Sequence, residues 1–462
     1  MTLEEIEIEE IVEQIASLYQ EKKYSKIKEI LTDINPADIA VLFDEFTDEQ
    51  RLLLFRLLSK EEAAETFVEL EYDTQEALIR AFSDSELREV LDELYLDDTV
   101  DIIEEMPATL VKRILKNTDS ETRASINTLL KYPEDSAGSI MTPEFVDLKR
   151  STTVEDAFKR IRRTGVDKET IYTCYVTDES RHLIGVTTVK ELLLHQNDDK
   201  IEDFMETNVI YIGTHDDKET AAMLFDKYNF LALPVVDMEQ RLVGIITVDD
   251  AMDVLQDENT EDIHKMNAVL PTSEKPYLKI GIFETWKSRI TWLLLLMVSA
   301  TFTSMILNAF ESKLKAVIIL TSFIPMLTGT SGNSGGQASA VIIRALSLNE
   351  IDFKDTIKVI WKEIRVGFVC GVTLAAVNFV KIWFIDRTLF GMNGITLKVD
   401  LVISLTLIIE IIFAKIVGCV FPILAKKIKL DPAVISSPFI TTVMDALSLL
   451  VYFGFATAIL RI

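Results

Sequence analysis

Two acidic residues lie inside long apolar segments of this 462-residue chain. Asp445 stands in "SSPFITTVMDALSLLVYF", and Glu410 stands with Lys415 in "LIIEIIFAKIVGCVFPIL". An ionisable side chain costs free energy in lipid, so it marks either a pathway or a buried pair. We expect Asp445 to line an ion path, with a buried structural hydrogen bond as the alternative. Glu410 and Lys415 are five residues apart, which is a loose fit for an ion pair on one helix. For Glu410, a place in the ion path and a buried structural role both stay open.

A third apolar segment is interrupted by "GTSGNSGGQAS", which holds four of the sixteen glycines between positions 329 and 339. Dense glycine weakens a helix, and lipid cannot satisfy the amides of Asn333 and Gln337. We therefore expect an unwound turn whose carbonyl oxygens, with these amides, suit a hard cation such as Mg²⁺. The alternative is close helix packing through small residues, a pattern that Gly332 and Gly336 also fit.

These side chains need a membrane domain to position them. Five segments are long and apolar enough to span a bilayer, at about 20 residues each. They lie near 288–310, 315–344, 360–385, 400–425 and 433–460. Lys and Arg in the connecting loops favour a cytoplasmic N-terminal region and an outer C-terminus. The sequence thus predicts a multi-pass protein of the cell (inner) membrane.

The charge of the chain is divided sharply. The formal net charge is −27, made up of −33 for residues 1–283 and +6 for residues 284–462. Such an acidic region would repel nucleic acid and is compatible with a cation as partner. Most of these carboxylates are expected to be a solvated surface. No phosphate-binding loop, nucleophile elbow or metal-hydrolase pair is found, so we predict no enzyme.

The acidic region contains two different sequence patterns. Residues 1–132 show apolar positions at helical spacing with polar residues at helix starts, which predicts an all-α superhelical N domain. From residue 133 the pattern repeats: "SIMTPEFVDLKRSTTVEDAFKRIR" is answered by "DFMETNVIYIGTHDDKETAAMLFD". Met141 pairs with Met205 and Gly185 with Gly244, so the first copy is five residues longer, in a loop around 166–169.

Each copy alternates short strands with amphipathic helices, and the pair resembles tandem cystathionine-β-synthase-type (CBS) domains. Such pairs often bind adenine nucleotides through a Gly-h-h-Thr-x-x-Asp stretch (h is an apolar residue). The second copy has it as "GIITVDD", which makes Thr247 and Asp250 candidates for ATP binding. The first copy reads "GVTTVKE" and has Glu191 in place of the acid. A purely structural or metal-sensing pair is the alternative.

The whole chain resembles the MgtE family of magnesium channels. The resemblance is carried by "PMLTGTSGNSGGQASAVIIRAL", "VGCVFPILAKKIKLDPA", "YPEDSAGSIMTPE" and "TEDIHK", in the family's order. It implies a multidomain fold, in which an all-α N domain is followed by an α/β CBS pair, a connecting plug helix and five transmembrane helices. The expected boundaries are 1–132, 133–200, 201–258, 259–284 and 285–462.

The resemblance also implies a homodimer that imports Mg²⁺ through a pore on its twofold axis and is closed by cytosolic Mg²⁺. The pore candidates are Asp445, Asn333, Gly332, Gly336, Gln337 and Glu410. The regulatory metal candidates are Glu61, Asp97, Asp101, Gly138, Asp250, Asp253, Glu258, Glu261, Asp262 and Asp431. Asn229 stands where the family can place a ligating acid. The alternatives are a broader Mn²⁺ and Co²⁺ transporter, a CBS-regulated anion channel, which an acidic pore residue disfavours, and a non-conducting nucleotide sensor anchored in the membrane.

Overall fold

The computed structural model describes residues 5–270, 277–311, 315, 317–389, 395–435 and 437–461. It separates into two units, Met1–Asp257 and Glu258–Ile462, each considered by itself.

The N-terminal part of the first unit is helical throughout, as predicted. Polar residues fix where its short helices begin: Ser59 and Glu62 form a capping box, and Ser83 and Glu86 form another. In each box the two side chains satisfy backbone N–H groups that the first helical turn leaves unpaired. The apolar faces share one core around residues such as Phe67. Residues 5–132 form α1 Glu5–Gln20, α2 Tyr24–Thr32, α3 Pro36–Phe43, α4 Asp48–Phe55, α5 Lys60–Val68, α6 Tyr72–Ala81, α7 Asp84–Leu91, α8 Leu96–Glu105, α9 Ala108–Asn117 and α10 Ser120–Leu129.

The predicted repeat forms two copies of one small α/β fold. Each copy has a three-stranded sheet in which the first strand pairs parallel with the second, and the second pairs antiparallel with the third. The first copy comprises β1 Val146–Lys149, α11 Val154–Thr164, β2 Thr173–Thr177, β3 Leu183–Thr188 and α12 Val189–Leu194. The second comprises β4 Ile212–Gly213, α13 Lys218–Tyr228, β5 Ala232–Val236, β6 Leu242–Thr247 and α14 Val248–Met266.

The two copies contact each other through equivalent residues. A Cβ on Gly244 would lie 2.7 Å from the sulfur of Met141, and a Cβ on Gly185 would lie 2.7 Å from the sulfur of Met205. Each methionine therefore fills the space that the glycine of the other copy leaves open. Thr142 and Ile245 exchange two backbone hydrogen bonds of 2.8 Å beside one of these contacts. The paired Met and Gly residues of the repeat thus mark its internal interface.

The longer loop of the first copy lies where the repeat predicts it. A 3₁₀ turn, Gly165–Asp167, follows α11 directly. In the second copy α13 ends instead at Asn229, which adopts the left-handed conformation (φ 55°, ψ 43°). Asparagine tolerates this conformation better than most residues, so Asn229 has a structural reason to stand there.

The second unit is a bundle of long helices. They are α15 Ile282–Ala309, α16 Ile324–Ser347, α17 Thr356–Lys381, α18 Leu397–Lys427 and α19 Ser437–Leu460. A π-helical segment, Ile382–Leu389, continues α17. Among the described residues four segments are long and apolar enough to cross a membrane: Ile282–Ala309, Phe353–Leu389, Leu397–Lys427 and Ser437–Leu460. The helix α16, which covers most of the predicted second span, is not among them.

The expectation of an unwound turn in α16 is wrong. The helix runs without a break from Ile324 to Ser347 and includes all four glycines. Close packing is the physical reason. A Cβ on Gly332 would lie 2.7 Å from the methyl group of Thr441, and one on Gly336 would lie 2.5 Å from the Ser437 hydroxyl. The glycines let α19 approach α16 closely, so the small-residue alternative is the one observed.

The connector after the second CBS copy begins as a continuation of the last CBS helix. The helix α14 begins at Val248, inside the CBS copy, and continues to Met266. The predicted boundary at residue 258 therefore falls within one helix. Part of the predicted plug, residues 271–276, lies outside the described residues.

Candidate functional site

Polar groups of α16 and α19 form one candidate site in the bundle. Asn333 and Gln337 are exposed and stand four residues apart, on one face of α16. Asp445 is half-buried on α19. It lies one helical turn after Thr441, which contacts Gly332, so it shares the face of α19 that packs against α16. The described part of the chain thus offers a carboxylate and two amides along neighbouring helices.

Glu410 occupies a different place, in the interior of the bundle. Its side chain is 1% exposed, and neither carboxyl oxygen has a hydrogen-bond partner among the described residues. The Ser448 hydroxyl on α19, which interacts with this carboxyl group, lies 2.6 Å from the Ser331 hydroxyl on α16. Glu410 is therefore separate from the exposed amides of α16.

Lys415 does not pair with Glu410. No ion pair between them is present in the described bundle, and the Lys415 stem packs where α18 meets Gly367 of α17. Their separate environments agree with the loose five-residue spacing.

The structure brings the acids predicted at the start of the connector together with Asp431. The Lys265 ammonium lies 2.7 Å from a carboxylate oxygen of Glu261 and 2.7 Å from one of Asp431. The Ser347 hydroxyl at the end of α16 lies 3.4 Å from a carboxylate oxygen of Asp262. Burial, and then the nearby charge of Asp431, raise the pKa of Asp262. This cluster (Glu261, Asp262, Lys265 and Asp431) holds the last turns of α14 against the membrane helices within the second unit.

A second acidic cluster lies in the first unit, where α8 of the N domain meets the CBS pair. Asp97 contributes one carboxylate, which is 7% exposed, and the sequence analysis names it as a metal candidate. One oxygen from each of Asp97, Glu144 and Glu169 lies within 4.8 Å of the others. Oδ1 of Asp97 and Oε2 of Glu169 are buried without a hydrogen-bond partner among the described residues. We call Asp97, Glu144 and Glu169 the carboxylate triad.

Further acids surround the triad and shift its titration. Burial, with the charge of Asp98 next, raises the pKa of Asp97 to about 8. Burial, and then the charges of Asp97 and Asp98, raise the pKa of Glu169 to about 9. Asp98 and Asp250 are each raised to about 7, again by burial first and by neighbouring carboxylates second. These carboxylates lie out of reach of bulk water, so their negative charges repel one another strongly. The repulsion favours binding of protons or of a cation.

Three members of this cluster are absent from the sequence-derived set. Glu169 lies in the extra loop of the first copy, and Glu144 lies in "MTPEF" just before β1. Asp98 is the immediate neighbour of Asp97. The unequal length of the two CBS copies was the available signal for Glu169, because an insertion in one copy of a repeat indicates a feature that only this copy has. No sequence pattern predicts that Glu144 contacts α8, because it lies 48 residues after Leu96, where that helix begins.

The remaining metal candidates lie apart from the triad. Asp101 and Asp253 are exposed, one turn beyond the cluster on α8 and α14, and Glu61 is exposed on α5. The Gly138 N–H donates to the Thr214 carbonyl at 3.0 Å. Glu258, half-buried in α14, begins the second unit.

The nucleotide candidates contact each other. The Thr247 hydroxyl donates to Oδ2 of Asp250 at 2.5 Å, at the point where β6 leads into α14. In the first copy the Thr188 hydroxyl instead accepts from the Glu191 backbone N–H at 3.2 Å. The two copies therefore use the same threonine position differently, and only the second directs a carboxylate to it.

Family models match three parts of the chain. Residues 324–455 match the model described as a divalent cation transporter, residues 34–135 match the MgtE intracellular N domain, and residues 137–198 and 201–257 match the CBS domain. The transporter model thus includes α16 and Asp445.

Two relatives match this chain over nearly the whole of both lengths. The chain is 37% identical to the magnesium transporter MgtE of Thermus thermophilus over 98% of this chain and 99% of that one. It is 32% identical to the Bacillus subtilis magnesium transporter MgtE over 98% of each chain.

Among solved structures, the cytosolic domain of the Mg²⁺ channel MgtE in complex with ATP matches with a TM-score of 0.51 and 38% identity, over 53% of this chain and 99% of that one. The soluble part of a magnesium transporter matches with a TM-score of 0.51 and 30% identity, over 54% of this chain and 99% of that one.

Proposed function

Because the chain belongs to the MgtE family of divalent cation transporters, we propose that it carries Mg²⁺ through its C-terminal bundle and that cytosolic Mg²⁺ closes this path. The observation that carries the proposal is the placement of Asp445, half-buried on the face of α19 that packs against the glycine-rich helix α16. A carboxylate in an apolar helix is costly unless it serves a cation or a buried partner.

The chemistry of this face suits a hydrated ion. Mg²⁺ binds oxygen and releases its waters reluctantly, so a pore for it needs width and hydrogen-bonding groups more than a dense cage of carboxylates. Asp445 supplies the charge, and the Asn333 and Gln337 amides supply hydrogen bonds to the waters. These amides are exposed in a single chain. A second copy facing them would enclose the path, which supports the homodimer that we propose.

The charge pattern supports an orientation. Ten Lys and Arg residues flank the spans on the side of the acidic region and six on the other. We therefore propose a cell-membrane protein with a cytoplasmic N-terminal region and an outer C-terminus. Entering Mg²⁺ would meet the acidic clusters in the compartment it enters.

Closure by Mg²⁺ follows from those clusters. Bound Mg²⁺ would replace repulsion between carboxylates with shared coordination and so stabilise the closed arrangement by mass action. In the second unit we assign this role to Glu261, Asp262 and Asp431, and we assign Asp97, Asp101, Asp250, Asp253, Glu61, Glu258 and the Gly138 backbone to the same regulatory set.

Flux measurements on Asp445 variants test the transport proposal. Asp445→Ala, purified and reconstituted in liposomes, should lose most Mg²⁺ flux, and Asp445→Asn should lose less, because an amide still bonds to the waters of the ion. Glu311→Gln, which neutralises an exposed carboxylate beyond α15, is the matched control and should transport normally.

Wild-type flux through folded Asp445→Ala would contradict the pore assignment. Absence of flux in the wild type would favour the non-conducting membrane sensor. Competition by Mn²⁺ or Co²⁺ at equal concentration would extend the substrate to the broader cation class.

A nucleotide site in the CBS pair is a second proposal, favoured by the ATP complex of the related cytosolic domain and by the Thr247–Asp250 contact. Asp250 would hold the ribose hydroxyls. Asp250→Ala in the full chain should abolish ATP binding measured by calorimetry in EDTA, whereas Glu191→Ala in the first copy should not. Absence of heat with the wild type would contradict the proposal, as would equal binding by both variants.

A further inference from the structure

Glu410 is a buried acid that neither the transport path nor the nucleotide site uses. It lies near the middle of α18, and neither of its carboxyl oxygens has a hydrogen-bond partner among the described residues. An ionised carboxylate in an apolar interior is costly, because it loses its water and finds no counterion. In the described part of the chain, no lysine or arginine forms an ion pair with it. Glu410 therefore needs a proton or a cation.

The serine hydroxyls near Glu410 use their protons elsewhere. The Ser331 hydroxyl of α16 donates to the Thr328 carbonyl at 3.0 Å. The Ser448 oxygen of α19 lies 2.6 Å from the Ser331 oxygen. Because Ser331 has already used its single proton, Ser448 is the donor in this second bond. Ser448 can then offer the neighbouring carboxyl group only a lone pair.

Two more hydroxyls near this acid are also engaged. Tyr452 of α19, which interacts with Glu410, donates to the Leu320 carbonyl at 3.0 Å. Thr406 lies one turn before Glu410 on α18 and donates to the Val402 carbonyl at 2.7 Å. None of these four hydroxyls is left to donate to the carboxyl group.

The helices packed against α18 bring no counterion to this acid. Residues 324–343 of α16 include no titratable side chain. On α17, the charge of Glu363 acts on Cys419, more than two turns further along α18, and Arg365 lies over an exposed tryptophan ring. Cys370 is the other titratable residue at this level of α17.

The remaining charges of α18 and α19 at this level are also directed elsewhere. The Lys415 stem packs against Gly367 of α17. Asp445 lies on the face of α19 that packs against α16. Tyr452 is thus the titratable group of α19 that interacts with Glu410. A ligand from solution must balance the acid.

We propose that Glu410 binds a proton in the interior of the bundle and donates it to the Ser448 oxygen. A carboxylic acid in an apolar site stays neutral and can donate such a hydrogen bond. The bond completes a chain that runs from α18 through α19 to α16, in the order Glu410, Ser448, Ser331 and the Thr328 carbonyl. Every hydroxyl in this chain then has one donor and one acceptor.

The same contacts favour a proton over a metal ion. Mg²⁺ and Ca²⁺ require about six or more oxygen ligands. At Glu410 the described residues offer the two carboxyl oxygens and one lone pair of Ser448, because the Ser331 oxygen is already engaged on both sides. A proton needs only one donor atom and one acceptor atom.

The bound proton joins the helices that carry the proposed Mg²⁺ path. Asn333 follows Ser331 by two residues on α16, and Asp445 precedes Ser448 by three on α19. Loss of the proton would leave an unpaired charge in the interior, so the helices would have to separate to hydrate it. Glu410 is thus a positioning residue for α16 and α19. Only its consequence for transport rests on the proposed function.

Infrared difference spectroscopy of the full chain in detergent tests the proton directly. A protonated carboxylic acid has a carbonyl stretching band that carboxylates and amides lack. The spectrum of the wild type minus that of Glu410→Gln should therefore contain one such band at neutral pH. Protonated acids of the first unit contribute equally to both spectra and cancel. Absence of the band would overturn the proposal.

Ser448→Ala tests the hydrogen-bonded chain. The band should shift in this variant, because the acid loses the oxygen that accepts its proton. Ser299→Ala is the matched control, since its hydroxyl donates to the Leu295 carbonyl within the exposed helix α15, and it should leave the band unchanged. An unshifted band in Ser448→Ala would contradict the chain. This comparison does not require Glu410→Gln to fold.

The pH dependence of the thermal midpoint gives a second measurement. The folded bundle holds a proton that separated helices would release, so it loses stability as pH rises. The midpoint should therefore fall less steeply with pH in Glu410→Gln than in the wild type, whereas the exposed variant Glu350→Gln should match the wild type. Equal slopes in all three proteins would overturn the proposal. A midpoint that Na⁺ raises in the wild type but not in Glu410→Gln would also overturn it, in favour of a metal cation.

The infrared measurement separates this proposal from transport, because it needs no Mg²⁺ flux. Asp445→Asn should keep the Glu410 band even if the pore assignment fails. A band that is lost in Asp445→Asn and kept in Glu410→Gln would place the proton on Asp445 and contradict the proposal.

Discussion

Single glycines decide how closely the membrane helices pack. A Cβ on Gly418 of α18 would collide with the Gly335 carbonyl oxygen and lie 3.0 Å from the Ala338 Cβ. A backbone carbonyl in a helix cannot rotate away as the end of a side chain can. Gly454 of α19 has open space around its position. A glycine is therefore required at position 418, where backbone lies close by. It is not required at position 454, where no described atom lies within 4 Å of an added Cβ.

Alanine substitutions measure this difference. Gly418→Ala should lower the thermal stability of the detergent-solubilised protein, by about 1–3 kcal/mol if the cost is that of ordinary overpacking. Gly454→Ala should leave stability unchanged or raise it slightly, because alanine favours the helix more than glycine does. Equal thermal midpoints for the two variants would show that α16 and α18 do not pack as closely as described.

At the scale of elements, the last turns of α14 are held by charge. Lys265 lies between Glu261 and Asp431 and neutralises part of a site that also contains Asp262. A lysine ammonium and a bound Mg²⁺ would compete for the same carboxylates. The strength of closure at this point should therefore depend on Asp431, which contacts the end of α14 from the segment between α18 and α19.

Asp431→Asn should keep the pore conducting at cytosolic Mg²⁺ concentrations that close the wild type, because the carboxylate that fixes α14 is lost. Patch recording across a cytosolic Mg²⁺ series, up to about ten millimolar, measures this. By linkage, such a variant biased toward the open state should also bind cytosolic Mg²⁺ more weakly. Glu350→Gln, exposed just beyond α16, is the control. Closure of all three proteins at one concentration would mean that Asp431 has no part in gating.

At the scale of the whole molecule, buried carboxylates of the first unit repel one another where the N domain meets the CBS pair. In the absence of metal, the raised pKa values of Asp97, Asp98, Glu169 and Asp250 lie between about 7 and about 9. The unfolded values are near 4, so the folded unit binds more protons throughout the interval. Its free energy of unfolding must then fall as pH rises through that window.

The rate of limited proteolysis within residues 1–257 of the full chain, in EDTA, should therefore increase from about pH 6 to about pH 8.5. Added Mg²⁺ should slow cleavage more at the upper end, where the carboxylates are ionised and able to bind it. Asp97→Asn should flatten the pH dependence, whereas Glu61→Gln, exposed on α5, should not. A cleavage rate that decreases as pH rises would contradict the sign of these shifts.

The local and periodic features of this chain can be predicted from its sequence. Helical spacing and capping residues predict the N domain, and the Met and Gly pairs predict the CBS repeat. Apolar length predicts five spans, and four helices of the described residues are long and apolar enough to cross a membrane. These features depend on neighbours within one or two turns of the chain, or on a repeat that is visible in the letters. The motif that names the family also predicts Asp445 without any structure.

Interactions between residues that are distant in sequence could be found only in the folded chain. Glycine density in α16 predicts a broken helix when the helix is considered alone, but the close approach of α18 and α19 makes those glycines contact points in a continuous one. Likewise, Glu144 and Glu169 show no relation to Asp97 in sequence. They come together because the five-residue insertion and the segment that leads into β1 both lie against α8. Burial there couples the charges of the three carboxylates.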